Sequence, residues 1–225
     1  MTYEQTEGIV LRKVDFSETS SIVTFLTLQR GRMACMVKGA RRKGSPMATL
    51  LDTYNRLEIT YTWRESRQVQ LLTEAVLLDG YSAIKADLER IACAAFLLEI
   101  AGSAAQENDA APELFYALRE GLKQLDAKQC SPPLAVAQGV YATLEAAGFA
   151  PHAAEALFRE QTRRMSSEER AAVSYALQEL GVASPISNPA AAPVLIRFLK
   201  DYAAYQFECA LKSYAFLETI LRENP

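Results

Sequence analysis

Residues 21–38 read SIVTFLTLQRGRMACMVK. Two strand-like runs, 21–28 and 32–38, are rich in β-branched and apolar residues and flank a turn at Gln29, Arg30 and Gly31. Phe25 sits in an apolar alternation, the period-2 signature of a strand with one buried face. Working outward, residues 8–14 form a short β-branched run before this pair. Residues 57–63 (LEITYTW) alternate, 64–67 are a polar turn, and 69–78 (VQLLTEAVLL) close the series. Five strands at short spacing, joined by glycine and polar turns, predict a small closed barrel and argue against a βαβ sheet. Residues 48–54 read as a helical turn between the third and fourth strands.

The period changes to helical after Asp79 and Gly80. Within 84–104, Leu88, Ile91, Ala95, Leu98 and Ala101 lie on one helix face. Pro112 occupies a first turn, with Glu113 beside it favouring the helix dipole, and that helix runs to about residue 125. A further helix starts at Ser131 and Pro132 and stops at Gly148. Ser166 with Glu169 is a capping-box pattern for a helix ending at Gly181. Residues 183–193 hold three prolines and read as a connecting loop. Residues 194–221 read as one last helix, about 42 Å long at roughly 1.5 Å per residue, buried on two sides at the centre of a bundle. The predicted fold class is α+β: a five-stranded oligonucleotide-binding (OB) barrel over residues 1–79, then a larger all-α domain over 80–225.

Charge is distributed unevenly. The 225-residue chain carries a net charge of −3, yet residues 19–51 contain no acidic side chain. Residues 1–80 hold eleven Lys and Arg against nine Asp and Glu, while the remainder holds thirteen against eighteen. Residues 30–46 alone carry six cations: Arg30, Arg32, Lys38, Arg41, Arg42 and Lys43. A positive patch on an acidic body suits a polyanion, met by Lys and Arg with little sequence preference. OB folds bind on the strand 2–3 face and nearby loops. The expected nucleic-acid contacts are therefore Arg12, Lys13, Arg30, Arg32, Lys38, Arg41, Arg42 and Lys43. Phe16, Phe25, Tyr54, Tyr61 and Trp63 are candidates for base stacking. Phe25, Tyr61 and Trp63 fit the barrel core as well, and a solvated hairpin tip accounts for charge alone.

Cys35, Cys93, Cys130 and Cys209 are too widely spaced for a CxxC metal knuckle, and His152 is the only histidine. The sequence predicts no metal site, no cofactor and no disulfide framework. GxSxG, GxGxxG and GxxxxGK[ST] are absent, and Lys43 precedes Gly44 where a phosphate loop needs the reverse order. The expectation is a protein that is not an enzyme. The polar N-terminus lacks the apolar segment of a secretory leader, and no run of about 18 apolar residues suits a membrane span. Cytoplasmic residence is expected.

The first 45 residues carry a resemblance. Gly8, Ile9, Val10 and Leu11, the turn at Ser17, Glu18 and Thr19, then Thr27, Gly31, and Lys38 to Arg42 as KGARR resemble the opening of bacterial RecO recombination mediators. Residues 87–99 (DLERIACAAFLLE), Gly148 with Phe149, and Leu211, Lys212 and Ser213 are similar too. The resemblance implies an N-terminal OB domain, a helical domain, and a role in recombinational repair beside the nucleoid. It implies binding of single- and double-stranded DNA, annealing of complementary strands, and loading of RecA with RecR. It also implies engagement of the C-terminal tail of single-stranded DNA-binding protein (SSB).

Two family features need separate treatment. Many members carry a four-cysteine zinc module just after the Gly-Phe segment, but residues 151–170 contain no cysteine. Zinc is not carried over; the module is lost, or replaced by a helical piece at 153–165. An acidic, aromatic-ended SSB tail needs an apolar groove rimmed by cations. Arg197, Lys200 and Lys212, all placed on the last helix, are the candidates, against the plainer reading of a solvated helix face. A DNA-binding mediator and a helical protein–protein adaptor with a merely structural barrel thus stand as two readings. Salt dependence of DNA affinity separates them, as does replacing Arg41, Arg42 and Lys43 together by Glu.

Overall fold

The computed structural model describes residues 2–127, 131–152 and 156–223. Five strands, β1 (Thr2–Asp15), β2 (Ser21–Thr27), β3 (Gly31–Val37), β4 (Arg56–Trp63) and β5 (Val69–Asp79), close into a barrel in the order β1-β2-β3-β5-β4. All pairings are antiparallel except β3 with β5, which pair in parallel over Ala34 to Val69, Cys35 to Gln70 and Met36 to Leu71. That parallel seam shuts the ring. This is the expected OB topology.

β1 serves two neighbours. Thr2 to Ile9 pair with β4, and Gly8 to Asp15 pair with β2, with a register shift between Val10 and Arg12. Such a bulge bends a strand and lets it turn from one neighbour to the next. The strand thus begins at Thr2, not near Gly8. Its first residues, TYEQTE, are too polar to announce a strand, and pairing with β4 holds them in place.

Alternation along the strands fills the barrel. Val23 and Phe25 of β2, Met33 and Cys35 of β3, and Leu57 and Ile59 of β4 are at most 1% exposed. Each large aliphatic or aromatic side chain so buried contributes about 1.5–3 kcal/mol. The short helix α1 (Met47–Leu50) delivers Leu51 into this core, with Met47 packed against it.

The chain divides into two compact units: residues 1–81 with 105–119, and residues 82–104 with 120–225. The segment 105–119 joins the barrel by backbone hydrogen bonds. Arg32 N–H donates to the Gln106 carbonyl at 3.0 Å, and Asn108 N–H donates to the Arg32 carbonyl at 3.0 Å. These bonds extend β3 where β5 no longer reaches it. Gly31 makes the approach possible: a Cβ there would lie 1.9 Å from the Asp109 carbonyl oxygen, and its φ is +57°.

The helical unit comprises α2 (Ser82–Lys85), α3 (Leu88–Ala104), the end of α4 (Pro112–Asp126), α5 (Pro132–Ala146), α6 (Ala156–Gln161), α7 (Ser167–Gly181), α8 (Ala192–Gln206) and α9 (Ser213–Glu223). α3 packs on α5 and α9, and α8 packs on α5, α6 and α7. Leu97 sits against Gly121 and Gly139; a Cβ on Gly121 would lie 2.7 Å from its Cδ2. Arg90 donates to the carbonyls of Leu125 and Ala127, closing the end of α4, and Asp126 accepts from Ala83 N–H at 2.8 Å and Ile84 N–H at 3.0 Å. A buried arginine and a carboxylate thus satisfy two helix ends.

The expected Ser166–Glu169 capping box is present in both directions. Three helix expectations need correction. The helix predicted over 84–104 is α2 and α3, because the Asp87 carboxylate accepts from Arg90 N–H at 2.9 Å and caps a fresh start. The loop predicted over 183–193 holds a 3-10 turn (Pro189–Ala191), and α8 already begins at Ala192. The single helix predicted over 194–221 is two. Cys209 N–H donates to the Ala204 carbonyl and Glu208 N–H to that of Tyr205, a Schellman ending with Glu208 at φ 49°. Glu99 of α3 then caps α9, accepting from Lys212 N–H at 2.9 Å, Ser213 N–H at 2.8 Å, and the Ser213 hydroxyl. The first of the two, α8, packs on α5, α6 and α7. The helical piece expected at 153–165 opens on residues outside those described; α6 lies within it.

Candidate nucleic-acid interface

Strand register fixes which side chains share the outer face of the barrel. Arg12, Thr24, Ala34 and Val69 lie in one row across β1, β2, β3 and β5. Val14, Ile22, Met36 and Leu71 form the next. Lys38 continues the outward parity of Ala34 and Met36, and the loop carrying Arg41, Arg42 and Lys43 follows it.

The basic run at 30–43 is not one loop. β3 separates Arg30 from Lys38, and seven residues of strand span roughly 20 Å. The eight expected DNA contacts accordingly have different surroundings. Arg30 Nη2 meets Glu4 Oε1 at 2.8 Å and its Nε donates to Glu4 Oε2 at 3.2 Å. The same guanidinium lies 4.2 Å from the centre of the Trp63 ring. Tyr61 hydroxyl donates to Glu4 Oε2 at 2.9 Å, completing a closed cluster. The Glu4 hydrogen bond holds the Arg30 guanidinium above its ordinary pKa, and burial raises the Tyr61 phenol. Arg32 reaches Glu107 Oε1 at 3.4 Å. Lys13 shares its register row with Val23 and donates to the Ala48 carbonyl at 3.0 Å. Arg41 Nε pairs with Asp15 Oδ2 at 3.1 Å, and the same guanidinium donates to the Ser17 carbonyl, fastening the loop at 15–20 to the basic loop.

Arg12, Lys38, Arg42 and Lys43 differ from these. All four are exposed, and none has an ion pair among the described residues. Arg42 packs its Cδ and guanidinium over Gly39. Of the stacking candidates, Phe25 and Tyr61 are core residues, 0% and 1% exposed, as their parity allowed. Trp63 carries Arg30 on its face. Phe16 is 58% exposed, beside the turn at Ser17.

Arg67 belongs to the polar turn at 64–67. It lines a cleft of about 310 Å³ with Met36, Lys38, Val69, Gln70 and Leu71. A smaller cleft of about 190 Å³ beside it, lined by Thr24, Arg32, Ala34, Val69, Glu107 and Asn108 among others, shares Val69. A cation in a turn following an alternating strand was the available signal for Arg67; Glu107 gave none, being distant in sequence.

The three residues expected at a tail-binding rim lie in the helical unit. Arg197 pairs with Glu169 at 2.7 Å, and Lys200 pairs with Asp201 at 2.6 Å while lying 5.2 Å from the centre of the Tyr214 ring. Lys212 is exposed and lies in the break between α8 and α9, not on a helix. The backbone of Ser166 and the guanidinium of Arg197 hold the Glu169 carboxyl below its usual range.

Among the described residues, no group of three His, Cys, Asp or Glu side chains is placed to hold a metal ion. Cys35 and Cys93 are buried and Cys209 is half-buried; Cys130 lies outside the described residues. No described helix is long and apolar enough to cross a membrane.

Family models described as Recombination protein O N terminal and Recombination protein O C terminal match residues 1–81 and 85–200. The chain belongs to the RecO family. Relatives named DNA repair protein RecO include one from Exiguobacterium sibiricum, 34% identical over 55% of this chain and 49% of its own length. One from an Anaeromyxobacter species is 32% identical over 64% of this chain and 56% of its own. One from Rhodopirellula baltica is 38% identical over 48% of this chain and 40% of its own. The chain spans about half the length of these RecO relatives.

Proposed function

We propose that this chain is a DNA-repair recombination mediator that binds single- and double-stranded DNA on the outer face of its barrel. The observation that carries this reading is that Arg12, Lys38, Arg42 and Lys43 are exposed, with no ion pair among the described residues, on an OB barrel of the RecO family. Such cations neutralise phosphates and contribute affinity with little sequence preference. Two strands held on one cationic face repel each other less, so complementary bases can meet and anneal. No catalytic residue, nucleotide or metal is needed for that step.

The helical unit supplies partner choice. RecR and the SSB C-terminal tail are the proposed protein partners, in the cytoplasm on nucleoid DNA. Lys212, exposed at the N-terminal side of α9, is better suited to an acidic tail than Arg197 or Lys200, which already hold carboxylates. RecA loading follows from holding coated strands in this way.

Annealing of complementary oligonucleotides tests the reading. Lys38→Glu, Arg42→Glu and Lys43→Glu combined should slow annealing at least tenfold at low salt while leaving the urea midpoint unchanged. Arg41 is left in place because its bond to Asp15 holds the loop. Undiminished annealing by the folded triple variant would leave the barrel a support, and the helical unit the working part.

A further inference from the structure

We propose that the cleft between β3 and β5 seats one unstacked nucleobase of a single strand, with Lys38 and Arg67 taking its flanking phosphates. The proposal rests on the DNA reading above and names the part of that face that tells single strands from duplex.

The cleft has an aliphatic floor. Met36 and Leu71 are direct partners across the parallel seam, and Val69 precedes Leu71 by two on the same outer face. All three are half-buried, so their side chains remain reachable from solvent. A methionine thioether is polarizable and makes favourable contacts with an aromatic ring. The volume, about 310 Å³, is at the lower end of the roughly 300–1,000 Å³ of ligand clefts and suits a flat base better than a larger group.

Charge selects the occupant. Lys38 and Arg67 are both exposed at the cleft, and no acidic side chain lines it. Arg67 is held there by a buried amide. Gln70, 1% exposed, accepts from Arg64 N–H at 2.9 Å and donates to the carbonyls of Arg64 at 3.0 Å and Arg67 at 2.7 Å. Three hydrogen bonds involving one side chain fix the backbone of the β4–β5 turn that carries Arg67. The neighbouring cleft differs, because Glu107 stands in it against Arg32. That ion pair leaves its side without net charge, while Lys38, Arg42 and Lys43 attract phosphates on the other. A base in a duplex is stacked and paired and cannot enter; a base in a single strand can, at little cost.

Fluorescence anisotropy with three probes tests this: a short oligothymidylate, an abasic strand of equal length, and a duplex. The protein should bind oligothymidylate about threefold to tenfold more tightly than the abasic strand. Met36→Ser should remove that difference and weaken oligothymidylate at least threefold more than duplex. Arg67→Gln, on an exposed turn residue that keeps the fold, should weaken both single strands more than duplex. Equal affinity of the unaltered protein for oligothymidylate and abasic strand overturns the base seat while leaving phosphate binding intact. Failure to bind any probe overturns the DNA reading itself.

Discussion

Arg30 donates to both oxygens of Glu4 and lies over Trp63, so its charge is already satisfied within the barrel. Bidentate pairs of this kind are stronger than exposed single contacts, and the ring adds a cation–π term. Arg30→Ala should therefore lower stability by about 1–2 kcal/mol in urea unfolding. DNA affinity should change far less than with Arg42→Ala, which has no partner to lose. A second residue-scale effect concerns alkali. Burial alone pushes the Cys35 thiol from 9.0 up to about 12. In the unfolded chain the thiol ionises near 9, while in the barrel it stays protonated. The stabilisation is complete below pH 9 and is lost progressively as pH rises toward 12, by up to about 1.4 kcal/mol per pH unit. Unfolding free energies measured between pH 9 and 10.5 should fall less steeply in Cys35→Ala than in the unaltered protein. Identical slopes would mean that the thiol is not held neutral.

The break between α8 and α9 shows how an element is set by contacts far along the chain. Apolar residues continue through Phe207, Leu211 and Phe216, so periodicity alone extends one helix to residue 221. Glu208 takes a left-handed conformation without being glycine, and the cap on α9 comes from Glu99 on α3. Neither feature leaves a local mark. Inside a helix, Glu208→Gly would cost about 1 kcal/mol. At a left-handed helix end it relieves a strain of about 1–2 kcal/mol, less a smaller loss from greater unfolded-state freedom. Glu208→Gly should leave stability unchanged or raise it by about 0.5–1 kcal/mol, read as a rise in melting temperature. The strands were more legible. Val23, Phe25, Met33 and Cys35 alternate, and their burial follows that alternation. The start of β1 was hidden by its polar composition. The cations of the site could be read directly; which of them were already paired could not, because Glu4 and Asp15 approach through strand pairing and Glu107 through the segment 105–119.

At the scale of the whole molecule, a net charge of −3 coexists with a barrel on which Arg12, Lys38, Arg42, Lys43 and Arg67 are exposed with no ion pair among the described residues. An acidic remainder disfavours a polyanion, so positive potential is confined to the barrel unit. The segment 105–119 reinforces this arrangement by setting Glu107 at one side of the face. The most direct measurement is the salt dependence of single-strand binding. Each phosphate neutralised contributes about 0.7 to the slope of log K against log salt. Five contacts, Arg67 included, give a slope of about −3.5, and replacing Lys38, Arg42 and Lys43 together by Gln should flatten it by about 2. That flattening is the expected result, with affinity at low salt reduced at least tenfold and the fold intact by circular dichroism. An unchanged slope and affinity in the triple variant would contradict it.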